Sequence, residues 1–206
     1  MHFTSSSQSG GPPRSANFGF TMIELLVVVG IVAIIAAIAA PNFGELVARS
    51  RTASAVSELE TALGSARAEA LRRGTFISVC RSANASDAAP TCSSALSGGF
   101  AGNDWAAGWL VFVDADGNGI VGTDEQVLVS RQALNGGTGQ RVYATATDSD
   151  SAAVATLTYQ ADGLRLSGAK QVQFAISDEN AGSNVRSQRC VTVLIPGQFT
   201  ATAAAC

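Results

Sequence analysis

Three sets of residues in this 206-residue chain have the types and spacing to do chemistry. The first is a lone carboxylate, Glu24, inside an otherwise apolar run over residues 20–40. As a helix the run is about 30 Å long, enough to cross a bilayer. A carboxylate there costs on the order of a few kcal/mol, so Glu24 needs either a structural partner or a job, and its place in the first turn suits the positive end of the helix dipole. The second set is Asp114, Asp116, Asn118, the Ile120 carbonyl and Glu125, which fit the calcium-loop pattern D-x-[DN]-x-[DN]-G-x5-E, with Gly119 at the sharp turn. Oxygens at that spacing surround a hard cation such as Ca2+. Asp, Asn and Gly are also what a hairpin loop selects, and the flanks 109–113 and 126–131 read as strands rather than EF-hand helices.

The third set is Cys80, Cys92, Cys190 and Cys206, all beyond the apolar run. An even count on the far side of a membrane suits disulfides in an oxidising compartment. Three pairings are open, and the simplest joins Cys80 to Cys92 and Cys190 to Cys206. No Cys-x-x-Cys spacing supports zinc. His2 is the only histidine, and Lys170, the lone lysine, stands in a strand-like context with no partner visible in the sequence. General-base and triad schemes therefore lack their usual members, and an enzyme is not expected. The net charge of −3 and the absence of a basic block give no general attraction to nucleic acid.

The elements that must position these groups follow from patterning. Residues 1–19 are Ser-, Gly- and Pro-rich with Arg14 as the one charge, and read as a disordered leader. A helix is expected over 20–40, with Pro41 and Gly44 placed to kink or loosen it, and an amphipathic continuation over 41–74. In that continuation Val56, Leu59, Leu63, Ala66 and Ala70 form a stripe suited to packing on a sheet, and Gly74 is the expected stop. Residues 75–206 read as one β-rich globular domain, with strands expected over 75–81, 108–113, 126–131, 155–160, 171–176 and 190–195. The fold class is α+β: a long N-terminal helix followed by an antiparallel sheet. Hydrophobic residues at 47% and charged residues at 14% suit such a domain behind a membrane anchor.

Gly19-Phe20, followed by an apolar helix with Glu24 at the fifth place, resembles the class III signal of type IV pilins and of type II secretion pseudopilins. The stretch Trp105-Ala106-Ala107-Gly108-Trp109-Leu110-Val111-Phe112-Val113-Asp114 is similar to the W-x-x-G-W-x-V-F-x-D stretch of the GspH/FimT branch. The Cys80 and Cys92 pair before it resembles the FimT side of that branch. The resemblance implies a pilin-like fold, cleavage by a prepilin peptidase between Gly19 and Phe20, and methylation of the Phe20 amine. Removal of the leader would also remove His2. It further implies that Glu24 neutralises the terminal ammonium of a neighbouring subunit, and that Pro41 is the helix-kinking proline.

The expected role is a minor pilin or pseudopilin, single-pass in the inner membrane with a periplasmic domain, taking part in filament initiation or tip assembly with other minor and major subunits. Three rival readings stand beside it. Ala37-Ile38-Ala39 resembles an ordinary signal-peptidase site, which would make a secreted calcium module. Glu24 could lie in the headgroup zone with no role. Some FimT-like minor pilins bind DNA through a C-terminal G-R-x-R motif; the counterpart here, Gly197-Gln198-Phe199-Thr200, lacks both arginines, and Arg186 and Arg189 upstream are the substitute phosphate contacts. Trp105, Trp109 and Phe112 are expected to be core aromatics.

Overall fold

The computed structural model describes residues 20–93, 104–134, 142–166, 169–178 and 188–206, and the side chains of 38–43 lie outside that description. One helix, α1 (Met22–Arg73), runs through both of the compact units into which the chain divides, Met1–Pro41 and Asn42–Cys206. Pro41 and Gly44 both lie within it. It stops where expected: Gly74 takes φ +67° and donates its N–H to Ala70 O at 2.9 Å, while Arg72 and Arg73 occupy the last turn.

In the first unit every described side chain from Phe20 to Ala37 is exposed, on all faces of the helix. Among the described residues no helix is long and apolar enough to cross a membrane. The last positions of the expected span, 38–40, fall outside the described side chains.

The second unit packs the rest of α1 on two four-stranded antiparallel sheets. The first has the order β3-β2-β1-β5, from β1 (Ile77–Arg81), β2 (Gly108–Val113), β3 (Val127–Gln132) and β5 (Thr156–Tyr159). The second has the order β4-β6-β7-β8, from β4 (Val142–Asp148), β6 (Val172–Asp178), β7 (Arg189–Val193) and β8 (Phe199–Thr202). The predicted stripe is the face that packs: Val56, Leu59, Leu63, Ala66 and Ala70 are all buried, against Val79, Val111 and Leu157 of one sheet and Phe174, Ile176 and Val191 of the other. β6 alternates strictly, so Val172, Phe174 and Ile176 point inward and their neighbours outward. The central strand β2 is buried on both faces, with Trp109 and Val111 on the α1 side and Leu110 and Phe112 on a second small cluster with Cys80 and Ala85.

Two strands were not anticipated. β4 is rich in Ala and Thr, and β8 follows Pro196 and Gly197, where a turn masks its short alternation. Each is recruited by its neighbour, β4 by β6 and β8 by β7, so tertiary pairing overrides weak local preference. Trp105, Trp109 and Phe112 are core aromatics, as expected: each is at most 2% exposed, and Trp105 sits edge-on to Phe174 with ring centroids 5.1 Å apart.

Candidate functional site

The chemistry-bearing residues fall at separate places. At the head of α1, Thr21 precedes the first helical residue and Glu24 stands in the first turn. Glu24 Oε2 accepts from Thr21 N and from Thr21 Oγ1, both at 3.2 Å, while Glu24 N donates to Thr21 Oγ1 at 3.3 Å. This reciprocal pattern is a capping box, which satisfies two of the helix's otherwise free N–H groups. Glu24 therefore has an intrachain partner in Thr21, the structural partner that the sequence left unnamed. Phe20 is 88% exposed, and every described side chain of the apolar helix behind it, to Ala37, is exposed as well. Gly19 lies outside the described residues.

The Asp114 to Glu125 loop joins β2 to β3, so strands flank it, as the sequence indicated. Asp114 is wholly buried. Its Oδ2 accepts from Ser78 Oγ at 2.5 Å and from Gly119 N at 2.9 Å, and its Oδ1 accepts from Asn118 N at 3.0 Å. Ser78 Oγ in turn lies 2.6 Å from Thr158 Oγ1, so the carboxylate anchors a hydroxyl pair linking β1 and β5. Burial pushes the Asp114 carboxyl above the usual range, the bonds from Ser78 and Gly119 pull it down, and Asp116 and Glu125 push it up. Asp116 accepts from Asn118 Nδ2 at 2.6 Å, Glu125 accepts from Ala115 N at 2.8 Å and Gly122 N at 2.9 Å, and Asn118 Oδ1 accepts from Ile120 N at 2.7 Å. Carboxylate oxygens of Asp114, Asp116 and Glu125 come within 4.8 Å of one another. Oxygen donors of this kind fit a hard cation. The same oxygens also organise the turn through the loop's own N–H groups, which is the hairpin role the composition allowed.

The cysteines bond as Cys80 to Cys92 and Cys190 to Cys206, the simplest of the three pairings. Beside the first bridge, Arg81 is almost fully buried and donates from Nε at 2.9 Å and Nη2 at 2.6 Å to Ser93 O, while Ser93 N donates back to Arg81 O at 2.7 Å. Burial lowers the Arg81 pKa and the Asp104 carboxylate raises it. Asp104 itself caps the short 3-10 turn Trp105–Ala107 and accepts from Ala106 N at 3.0 Å and Ala144 N at 3.1 Å, tying that turn to β4. Sequence reading passed over both residues; the available signals were an arginine next to a cysteine and an aspartate directly before the tryptophan stretch.

Of the two arginines considered for nucleic acid, Arg186 lies outside the described residues. Arg189 opens β7, half-buried, with Nη1 donating to Gln188 O at 3.0 Å. Lys170, without a visible partner in the sequence, is partnered in space: it bonds Asp150 and lies 3.6 Å from Asp148, and these carboxylates raise its pKa.

Residues 55–197 match the family described as type II transport protein GspH, and residues 14–40 match the prokaryotic N-terminal methylation motif. Two proteins named fimbrial protein from Pseudomonas aeruginosa are each 46% identical over 62 residues, 30% of this chain and 40% of theirs. The type IV major pilin protein PilA of Myxococcus xanthus (strain DK1622) is 52% identical over 44 residues, 21% of this chain and 20% of that one. The match thus spans less than half the length of these curated relatives. Among solved structures, the type IV minor pilin FimU of Pseudomonas aeruginosa (strain PAO1) is similar in two crystal forms. Identity is 21% in both, with TM-scores of 0.48 and 0.45, covering 75% and 72% of this chain and 90% of that one.

Proposed function

The chain belongs to the GspH family of pilin and pseudopilin subunits, and from that premise we propose that it is a minor pilin that helps to initiate or cap a type IV filament. The observation that carries this reading is the order of its parts. A methylation motif over 14–40 leads into a helix whose apolar side chains are exposed all round, and a GspH domain follows over 55–197. A helix that exposes apolar side chains on every face is suited to lipid or to a bundle of other helices. The proposed course is insertion in the inner membrane with the β domain periplasmic, cleavage by prepilin peptidase between Gly19 and Phe20, and methylation of Phe20. The helix then moves from lipid into a bundle of pilin helices. Glu24 would exchange its Thr21 contacts for the terminal ammonium of a neighbour, which sets axial register by charge pairing. The Cys80–Cys92 bridge, which resembles the FimT side of the family, supports a pilus over a secretion pseudopilus. The role is mechanical, not enzymatic.

Intact-mass measurement and N-terminal sequencing of the protein from its own membranes test this. A chain beginning at methylated Phe20 is expected. A start after Ala39 or Ala40 would overturn the reading and leave a secreted domain.

A second reading attaches to the β2–β3 loop, carried by the convergence of Asp114, Asp116 and Glu125 within 4.8 Å. These residues, with Asn118 and the Ile120 carbonyl, would hold a calcium ion weakly, and the ion would neutralise their mutual repulsion and stiffen the hairpin. The domain's stability, not a reaction, is what the ion would serve.

A further inference from the structure

Several arginines of the globular unit rest against a carboxylate: Arg51 lies 3.7 Å from Asp178, Arg131 2.6 Å from Glu58, and Arg73 2.6 Å from Glu69. Arg67 and Arg165 have no ion pair among the described residues, and the fold brings them to one place. Arg165 forms an antiparallel bridge with Tyr159 at the end of β5. Residues directly opposite in such a bridge send their side chains to the same face. Both are buried, Arg165 at 7% exposure and Tyr159 at 0%. Tyr159 belongs to the core that α1 covers, and from α1 the Arg67 Nε donates to Gly163 O at 2.9 Å, in the turn that leads to Arg165. That carbonyl lies beside the tyrosine ring: a Cβ on Gly197 would stand 2.6 Å from Gly163 O and 3.1 Å from Tyr159 Cε1. The charges of both arginines act on the Tyr159 hydroxyl.

Polar groups in this cluster are left unused. Tyr159 Oη and Arg165 Nε are buried and have no hydrogen-bond partner among the described residues. Arg67 uses only its Nε, on Gly163 O, and Arg165 only its Nη1, on Lys170 O. A guanidinium does not shed its proton, and burying one without a counter-charge is costly. A water would accept a hydrogen bond or two, but would leave two positive charges uncompensated. We propose that the cluster binds a small oxyanion, held by Arg165 Nε, Tyr159 Oη and the terminal nitrogens of Arg67. Two guanidinium forks and a hydroxyl serve more than one acceptor oxygen, which suits phosphate or sulfate better than a monatomic halide. The half-buried Arg67 is the way in, and Tyr159 and Arg165 form the floor. The bound anion supplies the missing counter-charge and pins the turn over 160–165 to α1. The site uses neither the head of α1 nor the Asp114 to Glu125 loop, so it stands apart from both readings above.

The test titrates inorganic phosphate into full-length protein in mild detergent at constant ionic strength. Binding is read by broadening of the phosphate resonance in phosphorus NMR and by the melting temperature. Saturable broadening is expected, with a melting temperature that rises along the same curve. Arg67→Gln and Tyr159→Phe should each weaken binding about tenfold, for the loss of one hydrogen bond to a charged ligand. Arg131→Gln, on β3 and away from the cluster, should bind as the wild type does. Arg67→Gln changes a half-buried side chain and Tyr159→Phe keeps the ring in the core, so circular dichroism should show both folded. Phosphate also stabilises proteins by exclusion from their surface, an effect that rises without saturation and equally in every variant. That pattern without broadening overturns the site. Wild-type affinity in either Arg67→Gln or Tyr159→Phe overturns it too, as does an equal loss in Arg131→Gln, which would show attraction by general charge.

Discussion

Thr21 and Glu24 are bonded to each other three times over at the head of α1, two contacts to the Glu24 carboxylate and one to the Thr21 hydroxyl. In an isolated subunit the carboxylate is thus occupied in stabilising its own helix. In a filament the same carboxylate would be the counter-charge for a neighbour's terminus, so assembly would exchange one partner for the other. Storing the carboxylate in a capping box keeps it ordered and aimed along the helix's N-terminal end, where the dipole also favours negative charge.

This separates two substitutions. Thr21→Ala should loosen the first turn, at about 1 kcal/mol, but leave the charge free to pair, so filament incorporation should persist. Glu24→Ala should leave membrane insertion intact and reduce incorporation. Immunoblotting of sheared filaments against membranes reads both, and normal incorporation of Glu24→Ala would remove the register role.

Gly108 explains why glycine stands in the tryptophan stretch. Its φ is +122°, and a Cβ there would lie 2.5 Å from Arg131 O and 3.1 Å from Ser82 O, both backbone atoms. Gly108→Ala should therefore cost at least about 2 kcal/mol. Gly64, inside α1, has only the Phe199 ring at 3.7 Å; Gly64→Ala should be neutral or stabilise by up to about 1 kcal/mol. Unfolding followed by tryptophan fluorescence, with Trp105 and Trp109 as buried reporters, compares the two.

Tyr159 is fully buried, and its hydroxyl has no hydrogen-bond partner among the described residues. Burial raises its pKa to about 12, against the opposing pull of the Arg165 and Arg67 charges. The folded state holds this proton more tightly than the unfolded chain, so stability should fall as pH rises from about 10 to about 12, by about 3 kcal/mol in all. Tyr159→Phe should change stability at pH 7 by less than about 1 kcal/mol and flatten that alkaline fall. An unchanged slope between pH 10 and 12 would assign it to another group.

Replacing Cys190 and Cys206 together by serine should cost about 3 kcal/mol from the loss of a closed loop. Because β8 ends its sheet and, among the described residues, pairs with β7 alone, hydrogen exchange should rise first at Thr200 to Thr202. Equal protection in the variant would show that β8 is held by its ladder alone.

Calcium at millimolar concentration should raise the melting temperature of the wild-type protein but not of Asp116→Ser. Asp116 is the better probe than Asp114, whose removal would also take the buried acceptor from Gly119 N and leave Ser78 Oγ with Thr158 alone. No shift in the wild type would leave the loop as a turn and nothing more.

Much was settled by residue order alone. An apolar run with Glu24 in its first turn, a stripe of Val56, Leu59, Leu63, Ala66 and Ala70, and β-branched runs between Gly and Asn clusters specify a helix that packs one half on a sheet. Periodicity is local, and local signals survive in one dimension. The Asp114 to Glu125 pattern was legible too, but its letters are common to a cation loop and a hairpin. Only space showed the same oxygens converging on one another and bonding the loop's own N–H groups. The partners of Lys170 and Arg81 lie 20 and 12 residues away in the chain, and no spacing rule announces them. β4 and β8, weak strands by composition, exist because β6 and β7 offer them a ladder. Which edges stay open depends on every other pairing in the molecule. Composition chooses what a strand prefers; the surplus of hydrogen-bonding groups at a sheet's rim is decided only when the whole chain has folded.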